Sequence, residues 1–281
     1  MIPFRPLWRL IPSLGLVLTA AAARAQTTGA ASVPAADAIR RHDEFTLDSR
    51  ALAERRTINV YTPPVYAAAG GTPFPVLYMP DGGLAEDFPH VANTIDSLIG
   101  LGVIRPVIVV GIENTQRRRD LTGPTSVGSD STIAPTVGGS AAFRRFVRDE
   151  LMPEVRRRYR CSGETTIVGE SLAGLFVVET FLLEPTLFDR YIAFSPSVWW
   201  NGGALLRAPE GRGDRRGLAN RTIFLTAANE AQIADGTALL VVRLRTRSPR
   251  SLELVYEPRP DLEHSTIFRA VAPEAFARVL R

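Results

Sequence analysis

The run R-P-V-I-V-V-G-I-E-N (Arg105–Asn114) constrains the fold more than any other stretch. A strand with one wet face alternates apolar and polar residues. A nearly unbroken apolar run is the mark of a strand covered on both faces, as in a parallel sheet between layers of helix. F-P-V-L-Y-M-P-D-G-G (Phe74–Gly83), T-T-I-V-G-E-S (Thr165–Ser171), R-Y-I-A-F-S-P-S-V-W-W (Arg190–Trp200) and R-T-I-F-L-T-A-A-N-E (Arg221–Glu230) repeat the pattern. R-T-I-N-V-Y-T-P (Arg56–Pro63) precedes them and S-L-E-L-V-Y-E (Ser251–Glu257) follows. Helical patterns lie between these runs. His90–Gly102 ends at glycine. Ser140–Tyr159 carries an apolar stripe of Phe143, Phe146, Val147, Leu151 and Val155. Leu172–Pro185, residues 232–246 and Ser265–Arg281 complete the set. Strand–helix alternation without repeat or linker predicts one α/β domain over residues 41–281, a mostly parallel central sheet with helices on both faces.

Ahead of that domain, Arg5 and Arg9 precede the apolar Leu10–Ala23, and Ala23-Arg24-Ala25 offers a cleavage point before Gln26. Residues 1–25 therefore read as a secretory signal peptide, too short in its apolar part to span a bilayer of roughly 30 Å comfortably. The expectation is a periplasmic or secreted protein with no stable membrane insertion and a loose tail over 26–40. Three arginines leave with the signal, so the formal charge of +4 falls to near +1. That balance and the lack of a nucleic-acid-binding motif argue against a nucleic-acid partner. Oligomeric state is not legible.

The chain contains no lysine, one cysteine (Cys161) and three histidines (His42, His90, His264). Schiff-base, PLP and Walker-type chemistry are excluded, and no zinc-ligand spacing exists. No metal or cofactor is expected. What remains is hydroxyl chemistry. Ser171 sits in G-E-S-L-A, one glycine short of the G-x-S-x-G nucleophile turn, between a strand and a helix. The bland alternative is a helix N-cap. In open α/β sheets ligands bind at the strands' C-terminal ends. Four such ends carry Asp81-Gly82-Gly83, Ser171, Asn229-Glu230 and E-P-R-P-D-L-E-H-S with His264. The order Ser, acid, His is that of α/β-hydrolases. A serine needs a base, and a carboxylate orients that base; Ser171, His264 and Glu230 fit these roles. Asp235, Asp261, Glu263 or no acid at all remain alternatives to Glu230. The backbone N–H groups of Leu172 and Gly83 are the expected oxyanion donors. His42 and His90 read as surface or loop residues.

The runs L-Y-M-P-D-G-G, V-I-V-V-G-I-E-N, R-R-R-D-L-T-G-P-T-S, Ile167–Trp200 and D-L-E-H-S-T-I resemble the esterase family that includes esterase D, the antigen 85 acyltransferases and enterobactin-type siderophore esterases. The match covers most of residues 55–280 in order. S-P-S-V-W-W and R-D-L-T-G-P are more specific to the siderophore-esterase-like branch than the serine turn is. The resemblance implies an α/β-hydrolase fold with Ser171, an acid and His264, and a serine esterase acting on a small-molecule ester such as an enterobactin-like trilactone; the signal pattern adds that it is exported. It also implies Trp199 and Trp200 along the acyl or aryl pocket, with Arg117, Arg119 and Asp120 bordering it from the long Thr115–Gly139 segment. Acyl transfer of the antigen 85 type, a feruloyl or carbohydrate esterase, and a non-catalytic binding module fit the same residues. Where the family more often has G-H-S-x-G-G, this chain has Glu170 and Ala173.

Overall fold

The computed structural model describes Met1 and residues 42–133, 136–207 and 215–281; the expected signal and tail lie outside this set, apart from Met1. Eight strands form one sheet: β1 Asp43–Ser49, β2 Glu54–Tyr61, β3 Phe74–Pro80, β4 Ile108–Ile112, β5 Cys161–Glu170, β6 Arg190–Phe194, β7 Thr222–Thr226 and β8 Glu253–Tyr256. Their order is β1-β2-β4-β3-β5-β6-β7-β8. The β1–β2 and β2–β4 pairs are antiparallel, and all others are parallel. The mostly parallel sheet expected from the apolar runs is present. Every residue of β4 is buried. Ile108, Val110 and Ile112 face one core while Val109 faces the other, so the strand is apolar throughout because both of its faces are covered.

One core lies under α4 (Ser140–Phe146), α5 (Met152–Arg158), α6 (Ser171–Leu183) and α8 (Ala231–Arg247). The other lies under α1 (Phe88–Gly100) and α9 (His264–Val279). Between them in sequence are the short α2 (Arg117–Leu121), α3 (Gly128–Ile133) and α7 (Trp200–Arg207), the last interrupted by left-handed Asn201, Gly202 and Gly203. The helix expected over Ser140–Tyr159 forms, but Val147–Leu151 widens into a π-turn between α4 and α5. Pro153 explains this: it lacks an N–H and its ring crowds the preceding turn, so the ladder loosens just ahead of it. The widened turn lets Glu150 accept the N–H groups of Arg50 and Ala51 at the β1–β2 hairpin.

Candidate active site

The tips of β3, β5 and β6, three neighbours in the sheet, end in non-glycine residues with left-handed backbone: Asp81 (φ 55°), Ser171 (φ 56°) and Ser195 (φ 40°). That conformation costs an L-residue about 1–2 kcal/mol, and such strain gathers at functional sites. It also excludes the bland reading of Ser171. A helix-capping serine is extended, whereas here the extended N-cap is Glu170 and Ser171 turns sharply into α6. The crossing of β5 and α6 is tight. A Cβ on Gly169 would lie 2.7 Å from the Cβ of Ala173. The glycine on the strand therefore makes the room that a glycine at 173 would otherwise supply. Gly174 is equally confined, since a Cβ there would sit 3.0 Å from the carbonyl oxygen of Phe194.

Glu230 is the N-cap residue of α8, beyond the β7 tip, and does not use its side chain to cap the helix. Its Oε2 lies 2.7 Å from Nδ1 of His264, which opens α9 beyond β8. The contact is at ion-pair distance, with the ring N–H turned off the line of the carboxylate. Two of the other candidate acids are occupied elsewhere. Asp261 pairs with Arg259, and Glu263 caps α9 in a reciprocal box with Thr266. Ser171 Oγ lies 3.4 Å from the Oγ of Ser197 in the turn after β6.

Carboxylates crowd this end of the sheet. Burial, then the charges of Asp87, Asp81 and Glu230, push the Glu170 carboxyl up to about 8, with Arg117 opposing. Burial and Asp81 likewise raise Asp87 to about 6, against the pull of Arg269 and Arg117. Arg117 holds Asp81 in a two-pronged pair, both contacts 2.7 Å, and Asn114 bridges Asp81 to Glu86.

Several expected site residues need correction. The Gly83 N–H donates to Oε2 of Glu86 at 2.7 Å, so it is spent within its own turn. Leu172 lies in the first turn of α6, where helix amides lack an intrahelical acceptor. Trp200 is buried and its indole N–H donates to the Gly123 carbonyl, which makes it a tie for the long loop rather than a pocket wall. Asp120 is fully buried between Arg56 and Arg119, and Arg119 also grips Glu54. These two anchor the loop to β2. Trp199 is half-buried beside Trp200, and Arg117 is partly exposed at the Asp81 turn. His90 is not a loop residue: it lies inside α1, buried, with its ring 4.9 Å from that of Phe268. Burial pushes the Cys161 thiol up to about 11, which makes it a poor nucleophile. Among the described residues no three His, Cys, Asp or Glu side chains converge as a metal-ligand set. None of the described helices is long and apolar enough to cross a membrane. The S-P-S turn was not singled out from the sequence as part of the site; its one signal was lying inside the specific S-P-S-V-W-W run.

The model of the family described as "Putative esterase" matches residues 49–246, most of the chain. The chain belongs to this esterase family. Its sequence is 34% identical over 179 residues to the ferri-bacillibactin esterase BesA of Bacillus subtilis, covering 55% of this chain and 58% of that protein. It is 30% identical over 158 residues to a siderophore enterobactin esterase of Emericella nidulans, covering 53% and 49% respectively. This esterase-family chain thus spans about half the length of the curated relatives it matches. An IroE-like serine hydrolase from Shewanella oneidensis superimposes with a TM-score of 0.75 at 25% identity, over 85% of this chain and 79% of that one. The fold is that of the α/β-hydrolases.

Proposed function

We propose that this chain is a serine esterase that hydrolyses carboxylic esters. Ser171 Oγ attacks the carbonyl carbon as His264 Nε2 takes its proton. Glu230 orients the ring through Nδ1 and stabilises the imidazolium. The Leu172 N–H faces the charge that develops on the carbonyl oxygen. The tetrahedral intermediate collapses, His264 returns the proton to the leaving alcohol, and an acyl-enzyme remains. Water then attacks with the same base, releasing the acid and restoring Ser171.

The observation that carries this reading is the left-handed Ser171 at the tip of a central strand. A serine held there at a conformational cost serves a purpose other than capping. The named activities of the two curated relatives support an ester of siderophore type as substrate, and the half-buried Trp199 is the side chain we assign to its acyl or aryl portion. Residues 1–25 are read as an export leader, which places the mature enzyme outside the cytosol.

Ser171→Ala should lower turnover of a p-nitrophenyl ester by roughly 10⁴–10⁶. A fluorophosphonate should label the unmutated protein once per chain and leave the variant unlabelled. Near-normal hydrolysis by Ser171→Ala would sink the proposal. A panel setting trilactone siderophores against p-nitrophenyl and feruloyl-sugar esters identifies the substrate.

A further inference from the structure

We propose that Ser195-Pro196-Ser197, the turn after β6, is a brace that sets the spacing between the nucleophile and the acid, with Ser197 and Ser195 as positioning residues. The inference rests on the assignment of Ser171, His264 and Glu230 above.

The two serines reach in opposite directions. Ser197 holds the nucleophile turn twice: its N–H donates to the Ser171 carbonyl at 3.0 Å, and its Oγ lies 3.4 Å from Ser171 Oγ. Ser195 holds the neighbouring strand tip twice: its N–H donates to the Thr226 carbonyl at 2.9 Å, and its Oγ accepts the Ala228 N–H at 3.0 Å. Ala228 is two residues ahead of Glu230. Both serines are buried, at 0% and 3% exposure, so water cannot replace either partner. Pro196 between them has a fixed φ, and Ser195 accepts a left-handed φ of 40° to aim its hydroxyl. The turn is also clamped from below, because Gly174 of α6 packs where a Cβ would stand 3.1 Å from Pro196 Cα. A three-residue segment with four polar ties, one rigid ring and a strained backbone behaves as a fixed spacer. Its two ends hold the two strand tips whose side chains must act together.

The test uses the full chain and a p-nitrophenyl ester. Ser197→Ala should lower kcat about 10-fold, leave KM within about twofold, and slow fluorophosphonate labelling in parallel. Ser197→Thr, which restores a hydroxyl, should recover part of the loss. Ser195→Gly accepts the positive φ without strain and deletes only the tie to Ala228; it should lower kcat about fivefold. The deciding comparison is Glu230→Gln as background. There Ser195→Gly should cost less than about twofold, because it acts through Glu230, while Ser197→Ala should cost as much as before. Thermal unfolding within a few degrees of the parent shows that each variant is folded. The proposal is overturned if both single variants keep their kcat, if the losses fall on KM, or if the Ser195→Gly loss persists undiminished without Glu230. A Ser171→Ala control that still hydrolyses ester would instead remove the underlying assignment.

Discussion

The backbone of Ser171, the proposed nucleophile, makes a prediction that is independent of chemistry. Ser171 is left-handed at φ 56°, and glycine adopts that conformation without penalty. Ser171→Gly and Ser171→Ala should both abolish ester turnover, yet Ser171→Gly should be the more stable of the two by about 1 kcal/mol in urea unfolding. Equal stabilities would show that the turn is relaxed. At this scale the order of strand ends led to Ser171 at a strand-to-helix turn and to Glu230 paired with His264, and the fold has that turn and that contact. What was not legible was how many polar neighbours are already committed. The occupation of the Gly83 amide by Glu86 and the burial of Asp120 are products of tertiary approach, and no local pattern announces them.

Among elements, the join between β5 and α6 carries an uncommon burden. Glu170 ends the strand with a carboxyl raised to about 8, and its unfolded value is near 4.5. Between those values the folded chain holds a proton that the unfolded chain has released. Stability therefore falls as pH rises through this window, and the penalty is absent below it. Glu170→Gln should remove the slope. Its melting temperature should exceed the parent's by roughly 10 °C at pH 9 and converge with it at pH 4; a constant gap would refute the assignment. Asp87, raised to about 6, adds a smaller slope of the same sign at lower pH. Most elements could be read from periodicity, but β1 could not. D-E-F-T-L-D-S is an edge strand with three acids among its seven residues, and its hairpin turns at Ala53 (φ 53°) rather than at the glycine or asparagine that signals such turns. The π-turn was hidden for a different reason: Val147 and Leu151 keep their place in the apolar stripe while the hydrogen-bond ladder beneath them changes.

In the described fold, the long segment after β4 is fastened at several points along its first half and middle. Near its start, Arg56 and Asp120 form a fully buried pair at 2.5 Å, with Arg119 and Glu54 completing the network. Asp120→Asn leaves the buried Arg56 guanidinium with Glu54 as its one remaining carboxylate partner and should cost about 3 kcal/mol in chemical denaturation. Arg56→Met with Asp120→Leu should recover much of that loss, because the pair's desolvation cost leaves with it. Further along, Gly123 accepts the indole of Trp200, Ser126 donates its N–H to Asn201, and Asp130 accepts the N–H of Asn201. These fastenings lie in β2, at the Asp81 turn after β3 and at the start of α7, all remote from the segment in sequence. For anyone wishing to exchange this segment between relatives, it is a cassette whose sockets are encoded elsewhere. A graft limited to residues 115–139 would arrive without Arg56, Glu54, Asp81, Trp200 and Asn201, the residues that hold it in place.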